Sequence, residues 1–189
     1  MPTNILLKFD KKVREIFVPY RESLPVRAIS WLSDVGDQPQ MRIAAGATIA
    51  LGLVAADARM LRAGTRMLIA HELATALKSF VKHRVDRSRP RSASSEEEQK
   101  PKAGRDTSKE ETSFPSGHSS GVVALACAFA REYPEYRGPA LAAATSVALA
   151  QIPRCAHYPS DVAAGMALGA AAEKVVDLAW SVTRAVLSR

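Results

Sequence analysis

The chain has 189 residues, the size of one domain, and its 26 lysines and arginines against 19 aspartates and glutamates give a net charge of +7. Hydrophobic residues make up 47%, which excludes a wholly disordered chain. Its two cysteines, Cys127 and Cys155, are too few for a disulfide scaffold or a four-cysteine zinc site. The positive charge suits nucleic acid, an anionic lipid surface or a phosphate-bearing substrate, and charge alone does not choose among them.

The N-terminal segment, residues 1–40, has its own charge pattern. Charged residues crowd positions 8–12 with no long apolar stretch behind them, so we expect no cleavable secretion signal. The stretch 16–32 is apolar but is interrupted by Arg21, Glu22 and Pro25. We predict an amphipathic segment that lies either along a lipid surface or against the protein's own core.

The remaining residues, 41–189, are predicted to form a helical bundle. Within 61–81 the apolar residues recur at spacings of three and four, which places them on one helical face. Residues 119–130, 138–152 and 162–180 are alanine-rich and contain few clusters that favour strands. Because no period-two alternation of useful length occurs, the sequence predicts an all-α fold, a helical bundle of about five to six helices.

A polar stretch interrupts these helices. Between Arg91 and Ser113 the only hydrophobic residues are Ala93 and Ala103. This composition cannot bury enough apolar surface to offset the entropy of ordering the chain. We therefore expect residues 91–113 to form a solvated, mobile loop.

The first group of candidate functional residues is Lys82 with Arg89 and Pro90. If the preceding helix continues, seven residues make nearly two turns, and Lys82 and Arg89 point the same way. Arg84 and Arg87 then lie on other faces of that helix. The alternative is a basic helix C-terminus that is favoured by the helix dipole and stopped by Pro90.

The second group is Ser116-Gly117-His118, which follows the polar loop. Ser116 suits a helix cap, and the unpaired N–H groups of the first helical turn form an anion site. Gly117 lets a ligand approach the backbone, and His118 stands where a proton donor to a bound phosphate ester is useful. The alternative is an ordinary capped turn.

The third group is His157 with Asp161. Pro159 suits the first position of a helix, which places His157 just outside the helix and Asp161 in its first turn. A carboxylate there can accept a hydrogen bond from one imidazole nitrogen and leave the other free as a nucleophile. Alternatively, Asp161 only caps the helix and His157 only packs. His71 and His83 lack such neighbours, and we expect the first to pack between helices and the second to be solvated.

Together the three groups resemble the tripartite signature of the type 2 phosphatidic acid phosphatase family, which includes bacterial acid phosphatases and vanadium haloperoxidases. The residues that carry the resemblance are, in chain order, Lys82-x6-Arg89-Pro90, Pro115-Ser116-Gly117-His118 and His157-x3-Asp161. The resemblance covers residues 60–180 and is closer to the small bacterial members. It says nothing about residues 1–40.

The resemblance implies a phosphomonoesterase or pyrophosphatase that uses no metal ion and no other cofactor. It implies that His157 attacks phosphorus to form a phosphohistidine, that Asp161 orients His157, and that His118 protonates the leaving oxygen. It also implies that the phosphate oxygens are held by Lys82, Arg89, Ser116 and Gly117. Phosphoryl transfer depends more on positioning and on cations around three oxygens than on covalent machinery, which agrees with these roles.

One position departs from the family pattern. The family usually has Ser-Arg where this chain has Ala150 and Gln151, six residues before His157. If the helix continued past Pro153, the nearest cation, Arg154, would be displaced by about 60° and about 4.5 Å, which a long arginine can span. We therefore include Arg154 among the phosphate-binding residues. The alternatives are a hydrogen bond from Gln151 with slow turnover, or a solvated Arg154.

The sequence leaves insertion into a membrane open, because uncharged runs such as 43–56 and 138–153 fall short of the roughly 20 residues of a spanning helix. The resemblance favours a membrane-embedded, multi-pass protein of a bacterial inner membrane. With the polar loop on the site's side, the basic residues expected on the opposite side are Arg59, Arg62, Arg131, Arg137, Arg184 and Arg189. The positive-inside tendency then makes the active site periplasmic or extracellular.

The sequence thus favours a metal-independent phosphatase acting on a phosphorylated lipid, or on a small phosphate ester, at a membrane. A soluble acid phosphatase of the same chemistry is a second hypothesis, favoured by the short apolar runs. A third is a catalytically inactive basic protein that binds anions or lipids. No nucleic-acid partner is expected, because aromatic and basic residues do not interleave. The oligomeric state is left open.

Overall fold

The computed structural model describes residues 3–187 and is 72% helical, with seven α-helices in that range. The helices are α1 (Thr3–Phe17), α2 (Leu24–Ser33), α3 (Gln38–Val54), α4 (Ala58–Lys82), α5 (Gly117–Glu132), α6 (Arg137–Leu149) and α7 (Pro159–Leu187). Short 3₁₀ turns cover Val18–Tyr20, Asp34–Gly36 and Pro134–Tyr136. The predicted helical class is confirmed, with one helix more than expected. Arg189 lies outside the described residues.

The connection between α4 and α5 differs from the prediction. The condition under which Lys82 and Arg89 would share a helix is not met, because α4 ends at Lys82. The chain then turns into strand β1 (Val85–Asp86), which pairs antiparallel with β2 (Lys102–Ala103) of the polar loop. The backbone of residues 87–89 then bonds to a second segment, residues 110–113, in parallel orientation, so extended segments supply the hydrogen bonds that another helical turn would have made.

Helix α5 forms the centre of the bundle and contacts α4, α6 and α7. One core cluster joins α3, α4, α5 and α7, and a second joins α5, α6 and the start of α7. Both contain many alanines, whose small side chains let the helix axes approach closely.

The contact between α5 and α7 depends on two glycines of α7. A Cβ atom at Gly165 would lie 2.5 Å from the carbonyl oxygen of Ser116, and one at Gly169 would lie 2.3 Å from that of Ser120. No side chain larger than hydrogen fits at these distances. The two helices that begin beside the candidate histidines, His118 and His157, are therefore packed backbone to backbone.

The N-terminal segment folds as two helices, α1 and α2, that break near Arg21 and Glu22. Helix α1 begins at Thr3, well before the apolar stretch 16–32. It includes the charged residues at positions 8–12, and the helix is only partly exposed. Arg14 donates hydrogen bonds to the carbonyl oxygens of Pro90 and Ala93, at 2.8 and 2.6 Å. These bonds fasten α1 to the connection that follows β1.

The outer surfaces of the helices carry many exposed apolar side chains. They include Ile5, Phe9, Leu24 and Trp31 in α1 and α2, Leu51 and Val54 in α3, Phe80 in α4 and Leu178 and Val182 in α7. Within residues 3–187, however, no helix combines the length and the apolar character that crossing a bilayer requires.

Candidate active site

A cavity of about 330 Å³ lies where α4 ends and α5 begins. It brings together five residues predicted from the sequence: Lys82, Arg89, Gly117, His118 and His157. The other lining residues are Gly36, Asp37, Gln38, Pro39, Lys78 and Lys109. The cavity therefore joins all three sequence groups with a turn of the N-terminal segment.

His157 occupies the predicted place, two residues before α7 begins at Pro159. The turn that carries it is held by Gln151, whose carbonyl oxygen accepts hydrogen bonds from the backbone N–H of Ala156 and of His157, at 3.2 and 3.3 Å. The side chain of His157 is only 3% exposed. Its position is thus set by the turn as well as by its own ring contacts.

The ring of His157 has a defined tautomer. Its Nδ1 lies 2.7 Å from the carbonyl oxygen of Ser113. A carbonyl can only accept a hydrogen bond, so Nδ1 carries the hydrogen and Nε2 carries the lone pair. Burial, together with Arg89 and Lys82, lowers the pKa of His157 well below its usual value. The ring is therefore neutral near pH 7, as a nucleophile must be.

Asp161 lies in the first turn of α7, as predicted, but does not hydrogen-bond to His157. The two side chains are 3.9 Å apart, and the oxygens of Asp161 accept hydrogen bonds from Arg87 at 2.5 Å, Ser113 Oγ at 2.6 Å and the Tyr158 N–H at 2.9 Å. Asp161 thus reaches His157 through Ser113, whose carbonyl holds the ring. Burial raises the pKa of Asp161, while Arg87 and Ser113 act in the opposite direction.

Lys82 and Arg89 supply positive charge to the cavity although they do not share a helix. The ammonium of Lys82 donates to the carbonyl oxygen of Thr112, and Arg89 donates to the carbonyls of Lys109 and Ala156, at 2.7 and 3.2 Å. Burial and the neighbouring cations lower the pKa of Lys82 to about 7, and burial lowers that of Arg89 to about 10. Among the described residues neither cation forms a salt bridge with a carboxylate, and an anionic ligand can supply that negative charge.

The N-terminus of α5 opens onto the cavity at Gly117. Ser116 is the helix cap, as predicted, and its fully buried Oγ accepts hydrogen bonds from the N–H and the Oγ of Ser119, at 3.4 and 2.8 Å. The hydroxyl of Ser116 therefore points toward Ser119 in the first turn of α5, and Ser116 is not part of the cavity lining. Its direct contact with phosphate stays a prediction, whereas Gly117 borders the cavity.

His118 faces Asp37 of the N-terminal segment. Its Nε2 lies 2.8 Å from Asp37 Oδ1, but the atoms are not aligned as a hydrogen bond. Burial lowers the pKa of His118, Asp37 raises it, and Arg154 lowers it further. His118 is thus a partly buried group that can exchange a proton with a ligand in the cavity.

Arg154 and Gln151 occupy positions that the sequence left open. The chain leaves α6 at Leu149, so the helix does not continue past Pro153. The guanidinium of Arg154 donates to Ser33 Oγ and pairs with Asp34 at 3.1 Å, outside the lining of the cavity. Gln151 is fully buried and directs its amide to the carbonyl of Val147 at 3.3 Å. Phosphate binding by Arg154 stays a prediction.

Three residues near the site escaped the sequence analysis. Arg87 was predicted to lie on another face of a helix, but it is buried between Asp161 and Asp10. Lys78 lies one turn before Lys82 and lines the same cavity. A basic residue four positions earlier on one helix is the signal that could have identified Lys78, whereas no local pattern marks Asp10 or Arg87. The expectations for His71, buried, and His83, exposed, are confirmed.

One cluster among the described side chains has ligand types that suit a cation. The carboxylates of Asp34 and Asp37 and the ring of His118 place their ligand atoms within 4.8 Å of one another. Asp34 is already paired with Arg154, and exposed acidic groups often lie this close without an ion. The cluster makes a chelator control necessary in any test of activity.

The sequence model of the PAP2 superfamily matches residues 63–182. The chain belongs to the PAP2 superfamily. The matched region includes Lys82, Arg89, His118, His157 and Asp161, so the three groups of residues fall within it. Helices α1, α2 and α3 precede it. No solved structure matches the chain significantly.

Two curated relatives are similar to a shorter stretch of the chain. A lipid A 1-phosphatase of Rhizobium johnstonii is 50% identical over 58 residues, which cover 31% of this chain and 24% of the relative. A lipid A 1-phosphatase of Rhizobium etli is 49% identical over 57 residues, 30% of this chain and 25% of the relative. The aligned stretch therefore spans about a quarter of each relative's length.

Proposed function

We propose that this PAP2 protein is a phosphatase that removes a phosphate group from a lipid through a phosphohistidine intermediate, without a metal ion. The observation that carries the proposal is the tautomer of His157. Because Nδ1 is committed to Ser113, an unprotonated Nε2 is available beside a cavity rich in cations. The family match supports the reaction class, and the names of the two relatives support a lipid substrate.

The reaction has two steps, and the proton of His118 moves in opposite directions in them. Nε2 of His157 attacks phosphorus, a P–N bond forms, and the P–O bond to the lipid breaks while His118 gives its proton to the departing oxygen. A water molecule then attacks phosphorus, His118 takes its proton, and the P–N bond breaks to release inorganic phosphate. The negative charge of the bound phosphate favours the protonated form of His118 that the first step needs.

The cavity walls stabilise charge on the phosphate. Lys82, Arg89 and the backbone N–H of Gly117 are the groups proposed to face the three equatorial oxygens. Asp161 acts indirectly, since it holds Ser113, and Ser113 holds the ring of His157. In this mechanism fixed side-chain cations take the part that a metal ion plays in other phosphatases.

The test is phosphate release from phosphatidate and from an aryl phosphate, with EDTA present. We expect release that EDTA does not diminish, that His157→Ala abolishes, and that His83→Ala, an exposed histidine, leaves unchanged. Acid-labile phosphate trapped on the wild type and absent from His157→Ala would identify the intermediate. A higher rate on the aryl ester would favour the soluble phosphatase hypothesis, and activity in His157→Ala would contradict the mechanism.

We also propose that the protein works at a membrane surface. Helices α1 and α2 expose Phe9, Leu24 and Trp31 together with Lys8 and Arg27, the combination of an interfacial amphipathic helix. A multi-pass arrangement with a periplasmic site stays a prediction.

Flotation with vesicles tests this surface. We expect the wild type to float with vesicles containing anionic lipid, and the variant Leu24→Ser with Trp31→Ser to float less. Tyr136→Ser, an exposed aromatic residue outside the N-terminal segment, is the control. Equal flotation of all three proteins would contradict the proposal.

A further inference from the structure

Helix α1 places a carboxylate in the interior of the protein beside the start of α7. Asp10 is only 2% exposed, although it lies in a run of lysines. Its Oδ1 accepts a hydrogen bond from the Ser160 N–H at 3.0 Å, and its Oδ2 accepts one from the Ser160 hydroxyl. A buried carboxylate is costly unless it is paired, so its partners matter.

The charged partner of Asp10 is Arg87, whose side chain is 1% exposed. Nη2 of Arg87 donates to Asp10 at 2.8 Å, and Nη1 donates to Asp161 at 2.5 Å and to Ser160 Oγ at 2.8 Å. The guanidinium also lies 4.0 Å from the centre of the Tyr158 ring. One cation thus bridges two buried carboxylates, one of them next to the proposed nucleophile.

The connection continues to the ring of His157. Asp161 Oδ2 accepts a hydrogen bond from Ser113 Oγ at 2.6 Å, and the Ser113 carbonyl accepts one from His157 Nδ1 at 2.7 Å. We infer that Asp10 and Arg87 are positioning residues that act through Asp161 and Ser113 to hold the ring of His157. The inference rests on the proposed function and extends it to a helix that lies before the family match.

The chemistry explains why this network affects turnover more than binding. When Nε2 bonds to phosphorus, the imidazole ring becomes positively charged. Two carboxylates around one guanidinium leave a surplus of negative charge, which favours that ring in the transition state and has little effect on the bound ester. Without Asp10, Nη2 of Arg87 and the hydroxyl of Ser160 lose their shared acceptor, and the orientation of Arg87 toward Asp161 is held less firmly, by Gln99, Ser160 and the Tyr158 ring alone.

The experiment compares Asp10→Asn with Glu15→Gln, an exposed acid on the same helix. For a soluble aryl phosphate, we expect Asp10→Asn to lower kcat about 10- to 100-fold per folded molecule, the range seen when residues that support metal ligands are removed, with KM changed less than about twofold. Glu15→Gln should match the wild type, and Asp10→Glu should recover part of kcat. A kcat within about twofold of the wild type in Asp10→Asn would overturn the inference.

A second readout does not depend on activity. The ring ¹⁵N shifts of His157, assigned with His157→Ala, report its tautomer. We expect the Nδ1–H form in the wild type and a mixture of tautomers in Asp10→Asn, and an unchanged tautomer would overturn the inference. If Asp10→Asn does not fold, Ser160→Ala removes the hydroxyl that both Asp10 and Arg87 contact, and we expect a smaller loss of kcat. Failure of the proposed function would appear separately, as an inactive wild type.

Discussion

Lys82 is a half-buried cation whose charge changes near neutral pH. Burial, Arg89 and Lys78 lower its pKa to about 7, so the ammonium form is lost as the pH rises through that value. His157 has a pKa well below its usual value and becomes protonated only in more acidic solution. In the proposed mechanism, phosphate binding needs the charged lysine and attack needs the neutral histidine. These two forms coexist in mildly acidic solution.

The first prediction is therefore a decline of kcat/KM above pH 7. Lys82→Arg keeps a cation at this position at higher pH, and we expect it to move the alkaline limb of the profile upward by at least about one pH unit. The profile of kcat should decline less, because a bound phosphate dianion favours the protonated lysine. Coincident alkaline limbs in the two proteins would exclude Lys82 as the titrating group.

Lys78 is a further cation of the cavity. Its Nζ lies 3.8 Å from the position that a Cβ at Gly117 would occupy, and none of the described residues offers it a carboxylate or a hydrogen bond. We predict that Lys78→Met raises KM about tenfold, which corresponds to the loss of one charge-assisted hydrogen bond. Lys12→Met, at an exposed lysine of α1, should leave KM unchanged. Steady-state kinetics on the aryl phosphate measures both, and an unaltered KM in Lys78→Met would show that this lysine does not contact the substrate.

Local chemistry made part of the site predictable. Ser116 and Pro159 determine where α5 and α7 begin, and these starts place His118 and His157. The role of Asp10 was not predictable, because its partner Arg87 lies 77 positions further along the chain. In sequence the two residues look like ordinary solvated charges, and only the packing of α1 removes them from water.

At the scale of elements, the close packing of α5 on α7 fixes the distance between the proposed acid and the nucleophile. We predict that Gly169→Ala lowers the free energy of unfolding by about 1–3 kcal/mol, because the added Cβ would overlap the Ser120 carbonyl. Gly46→Ala, in α3, meets nothing within 4 Å and should be neutral or raise stability by up to about 1 kcal/mol. Denaturant unfolding measures both, and equal effects would mean that α7 can move away without cost.

The apolar periodicity predicted where the helices of the bundle lie in the sequence. It did not predict where two of them end. Helix α4 stops at Lys82, and α6 stops at Leu149. In both cases the next residues find backbone partners elsewhere, in the pairing of β1 with β2 and in the turn around Gln151. Periodicity shows which face of a helix is buried, but long-range partners decide where the helix ends.

For the whole molecule, the end of the bundle away from the site contains a buried ionic cluster. Arg66 lies about 24 Å from Lys82 along α4 and pairs with Asp177 at 2.6 Å, with Glu132 and Glu173 at 3.8 Å. Its side chain is 5% exposed. The cluster holds α4, α5 and α7 together at this end.

We predict that Arg66→Met costs about 1–3 kcal/mol of stability, because Asp177 and Glu173 lose their buried cation and keep only more exposed ones such as Arg131. Arg62→Met, one turn away at a side chain that is 42% exposed, should cost less than about 1 kcal/mol. Thermal or denaturant unfolding distinguishes the two variants. Because the site is far away, kcat per folded molecule should be the same in both, and a selective loss of kcat in Arg66→Met would indicate coupling between the two ends.

The N-terminal segment has a consequence for how such proteins diversify. It precedes the region shared with the family, yet Asp37 faces His118, and Asp10 connects to His157 through Arg87. Substitutions in this segment can therefore retune the acid–base behaviour of both histidines while every signature residue stays the same. A chimaera that exchanges residues 3–40 between two relatives would then transfer pH preference along with the segment.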